Sequence, residues 1–480
     1  MNYKILNLTK MNKWIFLIIL LSILLRIINL NQSLWLDEAT QAILSQGSIY
    51  SIISQRGVDF HPPLSYLITH FWMKIGTSDI WLRLLSVIFG VGTVWITYKL
   101  TKVLFDKNIA LLSTILLAVS PYHIYYSQEI RMYSEAAFFA ILSIYFLHLF
   151  LTKSKIVYST GYILSTVALL YTHYDGSFLI LAQLLYILNV YKKRLRDFIL
   201  YQVVIFILYI PWIPQFITQL KNGLSVGEYL PGWQHVLSLP FIKALPVTFF
   251  KFSFGRIDIE DSLSFLILTV SILAIVVFVL FKSFKNFRDK KYKLVALWFF
   301  IPIISVLIIS FRIPLNQPFR ILYVLPAFCI LLSLGIYNLK RFKLVALIIL
   351  IFVNLGGLTL YYVNPKYSRE DWRRASEFIL KNINDDSQVI FAWSQPFPPY
   401  TWYANNRRGL GAVTKFPATK IEVEKKLIKI INKKDIYLFE YLQALSDPQK
   451  LVQEVIEEKG FKKSEVFDFR GVGFIDHYVK

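Results

Sequence analysis

Apolar residues run along this chain in long blocks, and basic residues collect in the short links between them. Blocks such as Trp14–Leu30, Leu263–Leu280 and Leu344–Leu360 have the length that crosses a hydrocarbon core, roughly 17–20 residues at about 1.5 Å each. The pattern predicts eleven spans, near residues 14–30, 81–101, 108–121, 134–151, 157–172, 176–191, 198–217, 263–281, 294–311, 320–337 and 344–362. The links 102–107, 152–156, 192–197, 282–293 and 338–343, with the N-terminal segment, are rich in Lys and Arg; their acids are Asp106, Asp197 and Asp289. The alternate links are nearly balanced. By the positive-inside rule the basic links face the cytoplasm and the C-terminus lies outside. The first block follows lysines but precedes no small-residue cleavage site, so it reads as a retained span.

Two outer links are long. In residues 31–80, Leu64, Leu67, Ile68, Phe71, Trp72 and Ile75 recur at helical spacing on one face, predicting a helix that lies in the membrane interface. Ala39–Ser54 is a weaker candidate for a second. Residues 211–262 are rich in Pro, Gly and aromatics and read as a lid-like loop. From about Val363 the apolar blocks stop. Ser368-Arg369-Glu370-Asp371 reads as a capping box opening a helix through Ile379. Ser387–Trp393 and Asp435–Glu440 read as strands, Asp447-Pro448 as a helix start, and Phe461–Val479 as a hairpin. The division is therefore a membrane domain, 1–362, and a small extracytoplasmic α/β domain, 363–480.

Composition agrees: 56% of the 480 residues are hydrophobic and only 17% charged, against about a quarter charged in soluble domains. The net charge of +22 sits in the cytoplasmic links, so it needs no nucleic acid, and none is expected as a partner. The single cysteine, Cys329, excludes a disulfide framework and a Cys-based metal site.

The candidate chemistry gathers outside the membrane. Asp37 and Glu38 are adjacent acids directly after the first span; partial desolvation strengthens a carboxylate as a general base. The plainer reading is a polar loop start or helix N-cap. Tyr125 to Tyr133 joins two spans and holds Glu129 and Arg131 with three tyrosines, groups that bind sugars and phosphates; an anchoring Glu–Arg pair is the alternative. His61 heads the interfacial helix, and His173 lies between the fifth and sixth spans. Arg320 opens the tenth span, where a guanidinium grips a phosphate in two-pronged fashion or snorkels to headgroups. Arg26 and Arg83 carry the same ambiguity. No ligand spacing supports a metal at His61 and His173.

The strings "LWLDEAT", "HPPLSYLITHFW", "SPYHIYYSQEIRMYS" and "YTHYDG", in that order, resemble the integral-membrane GT-C glycosyltransferases that use polyprenyl-phosphate sugars. These are the glycosyltransferase family 39 kind, with protein O-mannosyltransferases, lipid A aminoarabinose transferases and Rgt-type lipopolysaccharide transferases. The likeness covers about residues 10–340, and the tail string "SREDWRRASEFI" resembles tails of bacterial and archaeal members. It implies a polytopic α-helical GT-C fold in the plasma membrane. It implies transfer from a polyprenyl-phosphate donor to a lipid, glycan or protein acceptor, with inversion. Asp37 maps onto the family's catalytic base with Glu38 beside it, Glu129 onto a second acidic position with Arg131 and Tyr133 nearby, and Arg320 onto a donor-phosphate contact. No cofactor is implied; a divalent metal is the lesser alternative and is not expected. The oligosaccharyltransferase Trp-Trp-Asp signature is absent from the sequence. The rival class, a polysaccharide or lipid-linked-sugar transporter or flippase, would favour repeated halves and broken helices at the midplane.

Overall fold

The computed structural model of the protein describes residues 13–54, 60–229, 238–258 and 262–480. Most of the N-terminal lysine segment, residues 230–237 and 259–261 of the lid-like loop, and residues 55–59 lie outside the described residues. The chain divides into two compact units, one of Met1–Leu30, Val58–Ile217 and Ser238–Tyr367, the other of Asn31–Gly57, Thr218–Leu237 and Ser368–Lys480.

The first unit is helical. Each of the eleven apolar blocks contains a helix. Six helices among the described residues are long and apolar enough to cross a membrane: Asp79–Leu104, Tyr133–Lys153, Lys192–Ser225, Leu263–Asn286, Lys290–Ile309 and Lys340–Val363. A seventh is counted if Lys107–Ala118 and Pro121–Ser127, bent by 61°, form one span. Ile156–Thr172, Tyr174–Val190 and Leu322–Asn338 are shorter apolar helices. The protein is thus a multi-pass membrane protein; the length criterion supports fewer spans than the eleven read from the sequence.

The long link at 211–262 also departs from the loop reading. It carries helices Ile213–Tyr229 and Phe241–Phe254. Pro214 falls in the first turn and Pro240 at the N-cap, where a missing amide costs nothing; these prolines start helices rather than break them.

Packing between helices is close and partly polar. A Cβ at Gly335 or Gly357 would run into the backbone carbonyl of Val279 or Phe254, respectively, the small-residue contact that lets membrane helices approach. Tyr162 donates to Gln183 at 2.7 Å, Gln183 donates to Ser143 at 2.9 Å, and Gln202 donates to Tyr162 at 2.6 Å. One hydrogen-bonded chain thereby ties four consecutive helices.

Arg26 and Arg83 do not snorkel. Both are buried. Arg26 donates to Ser22 at 2.8 Å, to the Ala118 carbonyl at 3.1 Å, and meets His123 Nδ1 at 2.7 Å. Ala118 ends its helix, so its carbonyl has no intrahelical donor and carries the negative end of the dipole. Arg83 donates to the Leu30 carbonyl at 3.0 Å.

The second unit is built on a five-stranded sheet of order β2-β1-β3-β5-β4, with β1 Ser387–Phe391, β2 Gly409–Gly411, β3 Asp435–Phe439, β4 Lys462–Phe469 and β5 Gly473–Val479. Strands β1, β2 and β3 are parallel; β5 is antiparallel to β3 and β4. The α/β reading and the terminal hairpin hold. The short β2 was missed because Gly-Leu-Gly has little strand propensity.

Two tail helices begin later than read. The first is Trp372–Asn382, with Asp371 at the N-cap and no side-chain capping bond, so the Ser368 capping box does not form. The second is Leu451–Glu458. Asp447 nevertheless serves its start, accepting from the Leu451 and Val452 amides at 2.9 Å each. On one face of the sheet Trp372 stacks on Phe439 with centroids 5.7 Å apart, and Leu36 packs against the same core. Leu36 opens the helix Leu36–Gln46, which lies on Pro398–Ala404. Segment Asn31–Gly57 thus packs as part of the tail's compact unit.

Candidate active site

The candidate residues fall into two groups, one in each unit. In the first unit, His61 precedes the helix Leu64–Met73. That helix buries Ser65, Tyr66 and Thr69 and turns its apolar side outward, with Phe71 exposed. Such inverted amphipathicity suits a helix whose outer face meets lipid. The sequence spacing was right about the helix.

The segment from Tyr125 to Tyr133, read as a tight outer turn, is buried throughout. Pro121–Ser127 is helical, started by Ser120, whose side chain accepts the His123 amide, and by Pro121 at its first turn. Glu129, Arg131 and Tyr133 are therefore buried. Arg131 donates to His61 Nδ1 at 3.3 Å. The His61 and His173 rings lie 6.0 Å apart, as do those of Tyr133 and His173. Tyr133 packs on Phe319 at 5.1 Å and on Tyr126 at 5.2 Å.

Arg320, half-buried after Phe319, acts electrostatically on both His173 and Asp175. Burial pulls the His173 imidazole well below its ordinary range, and His61, Arg320 and Arg131 push it further down. His173 Nε2 is buried and makes no hydrogen bond among the described residues. His61, Arg131, Tyr133, His173 and Arg320 therefore come together from four sequence-distant places. The cluster is cationic, aromatic and largely buried, and positive groups in a low-dielectric site bind phosphate strongly.

Sequence reasoning missed Arg256. It donates to the Tyr125 hydroxyl and sits over that ring at 4.8 Å. It follows Gly255, whose φ of +94° ends the helix Phe241–Phe254, a backbone angle that favours glycine. The charges of Arg256 and Glu129 both reach Tyr122 and Tyr126. A Gly-Arg pair in a link read as a loop gave no pattern to find. Among the described residues, no three of His, Cys, Asp and Glu converge as a metal ligand set.

In the second unit, Asp37 and Glu38 stand in the first turn of Leu36–Gln46, with Trp35 as N-cap, so neither acid is the cap. Glu38 is buried, its Oε2 at 3.9 Å from Arg369 Nε. Asp37 is half-exposed. Glu370, also overlooked, accepts from Trp372 Nε1 at 2.7 Å, from the Tyr441 hydroxyl at 2.9 Å, and from the Leu36 amide.

Residues 60–216 match the family model described as dolichyl-phosphate-mannose-protein mannosyltransferase. That stretch contains His61, Glu129, Arg131, Tyr133 and His173. No curated protein matches the sequence. Among solved structures, ArnT from Cupriavidus metallidurans bound to undecaprenyl phosphate overlays with a TM-score of 0.61 at 11% identity, covering 97% of each chain. The oligosaccharyltransferase AglB from Archaeoglobus fulgidus, in complex with an inhibitory peptide and a dolichol-phosphate, gives a TM-score of 0.57 at 12% identity, covering 97% of this chain and 74% of its own. The fold is the GT-C fold. The segment match covers about a third of the chain, and the overlays show a shared fold.

Proposed function

We propose that the protein moves a sugar from a polyprenyl-phosphate donor to a lipid, glycan or protein acceptor on the outer face of the plasma membrane, with inversion and without a metal. One observation carries this reading. The family-matched segment brings His61, Arg131, Tyr133 and His173 to one place, and Arg320 joins them. A phosphate leaving group needs positive charge more than it needs a strong acid, and arginines meet that need. The full-length likeness to a structure holding undecaprenyl phosphate supports the donor class.

In the step proposed, the acceptor oxygen or nitrogen attacks the anomeric carbon while the bond from that carbon to the phosphate oxygen breaks. The bonding pair leaves with the polyprenyl phosphate, whose charge Arg131 and Arg320 offset. The acceptor proton goes to Asp37. Glu38 is buried beside Arg369, which favours Asp37 as the base. Glu129, in the buried turn, shapes the electrostatics around the tyrosines.

The test is incubation of purified protein in lipid bilayers with radiolabelled polyprenyl-phosphate sugars and envelope extracts. Label should pass to an acceptor while free polyprenyl phosphate is released. Transfer from nucleotide sugars alone, or none from any lipid-linked donor, would refute the reading.

A further inference from the structure

The loop that carries Asp37 is held almost residue by residue by the start of the tail and its neighbours. Arg373 meets Asn31 at 3.4 Å, Gln32 accepts the Arg369 amide at 2.6 Å, and Ser33 donates to the Glu370 carbonyl. The Leu34 amide donates to Tyr403 at 2.7 Å, and Glu38 faces Arg369. At the centre is the start of Leu36–Gln46. A helix leaves its first amides without intrahelical partners, and its N-terminus favours negative charge. Trp35, at the N-cap, makes no side-chain capping bond. The side chain of Glu370, from more than 300 residues later, accepts the Leu36 amide instead. Its two oxygens are further fixed by Trp372 and Tyr441. Gly471, at φ +73°, packs so closely on Glu370 that a Cβ there would crowd its side chain.

We propose that Glu370 is a positioning residue for Asp37: it caps the helix from which Asp37 projects and thereby sets the direction of the catalytic carboxylate. This rests on the reading of Asp37 as general base. Glu370 touches neither donor nor acceptor in this scheme and acts through the Leu36 amide.

The charge gives the role a signature. Burial pushes the Glu370 carboxyl up to about 7; Asp37 adds to the rise, against the hydrogen bonds from Trp372, Tyr441 and Leu36. The ionisable groups around it are Asp37 and Glu38 on the capped helix, Arg369, Asp371 and Arg373 beside it in the chain, Tyr441 and Tyr403 from the packed turn and helix, and Arg470 bound to the Arg369 carbonyl. As pH rises through about 7, Glu370 ionises. Its three accepted bonds become charge-assisted and hold the start of the helix more firmly. Turnover therefore rises across that window.

The experiment compares wild type, Glu370→Gln, Glu370→Ala and Asp37→Asn in the full-length protein in bilayers. It measures kcat and donor KM from pH 5.5 to 8.5 and backbone hydrogen exchange at Leu36–Thr40. Glu370→Ala should lower kcat by about 10–100-fold, the scale of a misplacement near 1 Å, with donor KM changed less than twofold. Exchange at Leu36–Thr40 should rise at least about tenfold while the strands stay protected. Glu370→Gln should keep most of the exchange protection but lose the rise in turnover near pH 7. Unchanged exchange in Glu370→Ala, or a wild-type pH rise retained in Glu370→Gln, overturns the positioning role even where Asp37→Asn is inactive. Loosened exchange with full turnover in Asp37→Asn overturns the base assignment instead, and with it the catalytic part of the proposal.

Discussion

Arg369 and Glu38 face each other with 3.9 Å between Nε and Oε2, and both side chains are all but fully buried. The pair separates two adjacent acids that sequence alone leaves interchangeable. Glu38 is buried against Arg369, whereas Asp37, one residue earlier, is half-exposed.

Removing one member of a buried ion pair leaves the other uncompensated, at a cost of about 3 kcal/mol or more. Glu38→Gln should therefore lower the thermal stability of the tail unit, while turnover of the protein that stays folded falls less than in Asp37→Asn. Thermal unfolding followed by tail tryptophan fluorescence checks this. An unchanged melting temperature with abolished turnover would reassign Glu38 to the chemistry.

The raised carboxyl of Glu370 has a stability consequence with a definite sign. Between its ordinary value near 4.5 and about 7 the folded state holds a proton that the unfolded chain has lost, so this group's contribution to stability falls as pH rises through that window. The shift corresponds to about 3 kcal/mol as an upper bound. Relative to wild type, Glu370→Gln should gain stability by up to that amount between pH 4.5 and 8, whatever its offset at low pH. Denaturant unfolding at several pH values measures it; parallel curves would contradict the assignment.

Arg320→Lys keeps a positive charge but loses the planar two-pronged geometry. Donor KM should rise about tenfold, with kcat less affected. Kinetics at varied donor concentration check this, and an unchanged KM would make Arg320 a headgroup anchor.

The charge asymmetry predicts that a reporter fused after Lys480 is active outside the cytoplasm and one inserted near Arg194 inside. Both reporting the same side would contradict the topology.

Much of this was legible in the sequence because the signals were local. Apolar periodicity located the helix at Leu64–Met73, and short strand-like segments marked β1, β3 and the terminal hairpin. The order of short motifs drew attention to His61, Arg131 and His173, and its place at a span end to Arg320. What stayed hidden depends on distant partners. Arg26 reads from sequence as a phosphate-gripping or headgroup-reaching arginine, whereas the open carbonyl of Ala118 and the ring of His123 give it a buried site. Ser368 to Asp371 has the spacing of a capping box, yet Glu370 turns to Leu36, a segment more than 300 residues earlier. Arg369 reads as one more basic residue until Glu38 is found opposite. No window along the chain contains both members of such pairs.

The central claim is that Asp37 takes the acceptor proton during sugar transfer, and turnover of Asp37→Asn tests it most directly. The substitution is nearly isosteric, so protein amount and melting temperature should stay close to wild type. Sugar transfer from a polyprenyl-phosphate donor should fall by about 10²–10⁴-fold, the usual worth of general-base assistance. A well-folded Asp37→Asn protein that transfers sugar at near-normal rate would contradict the account.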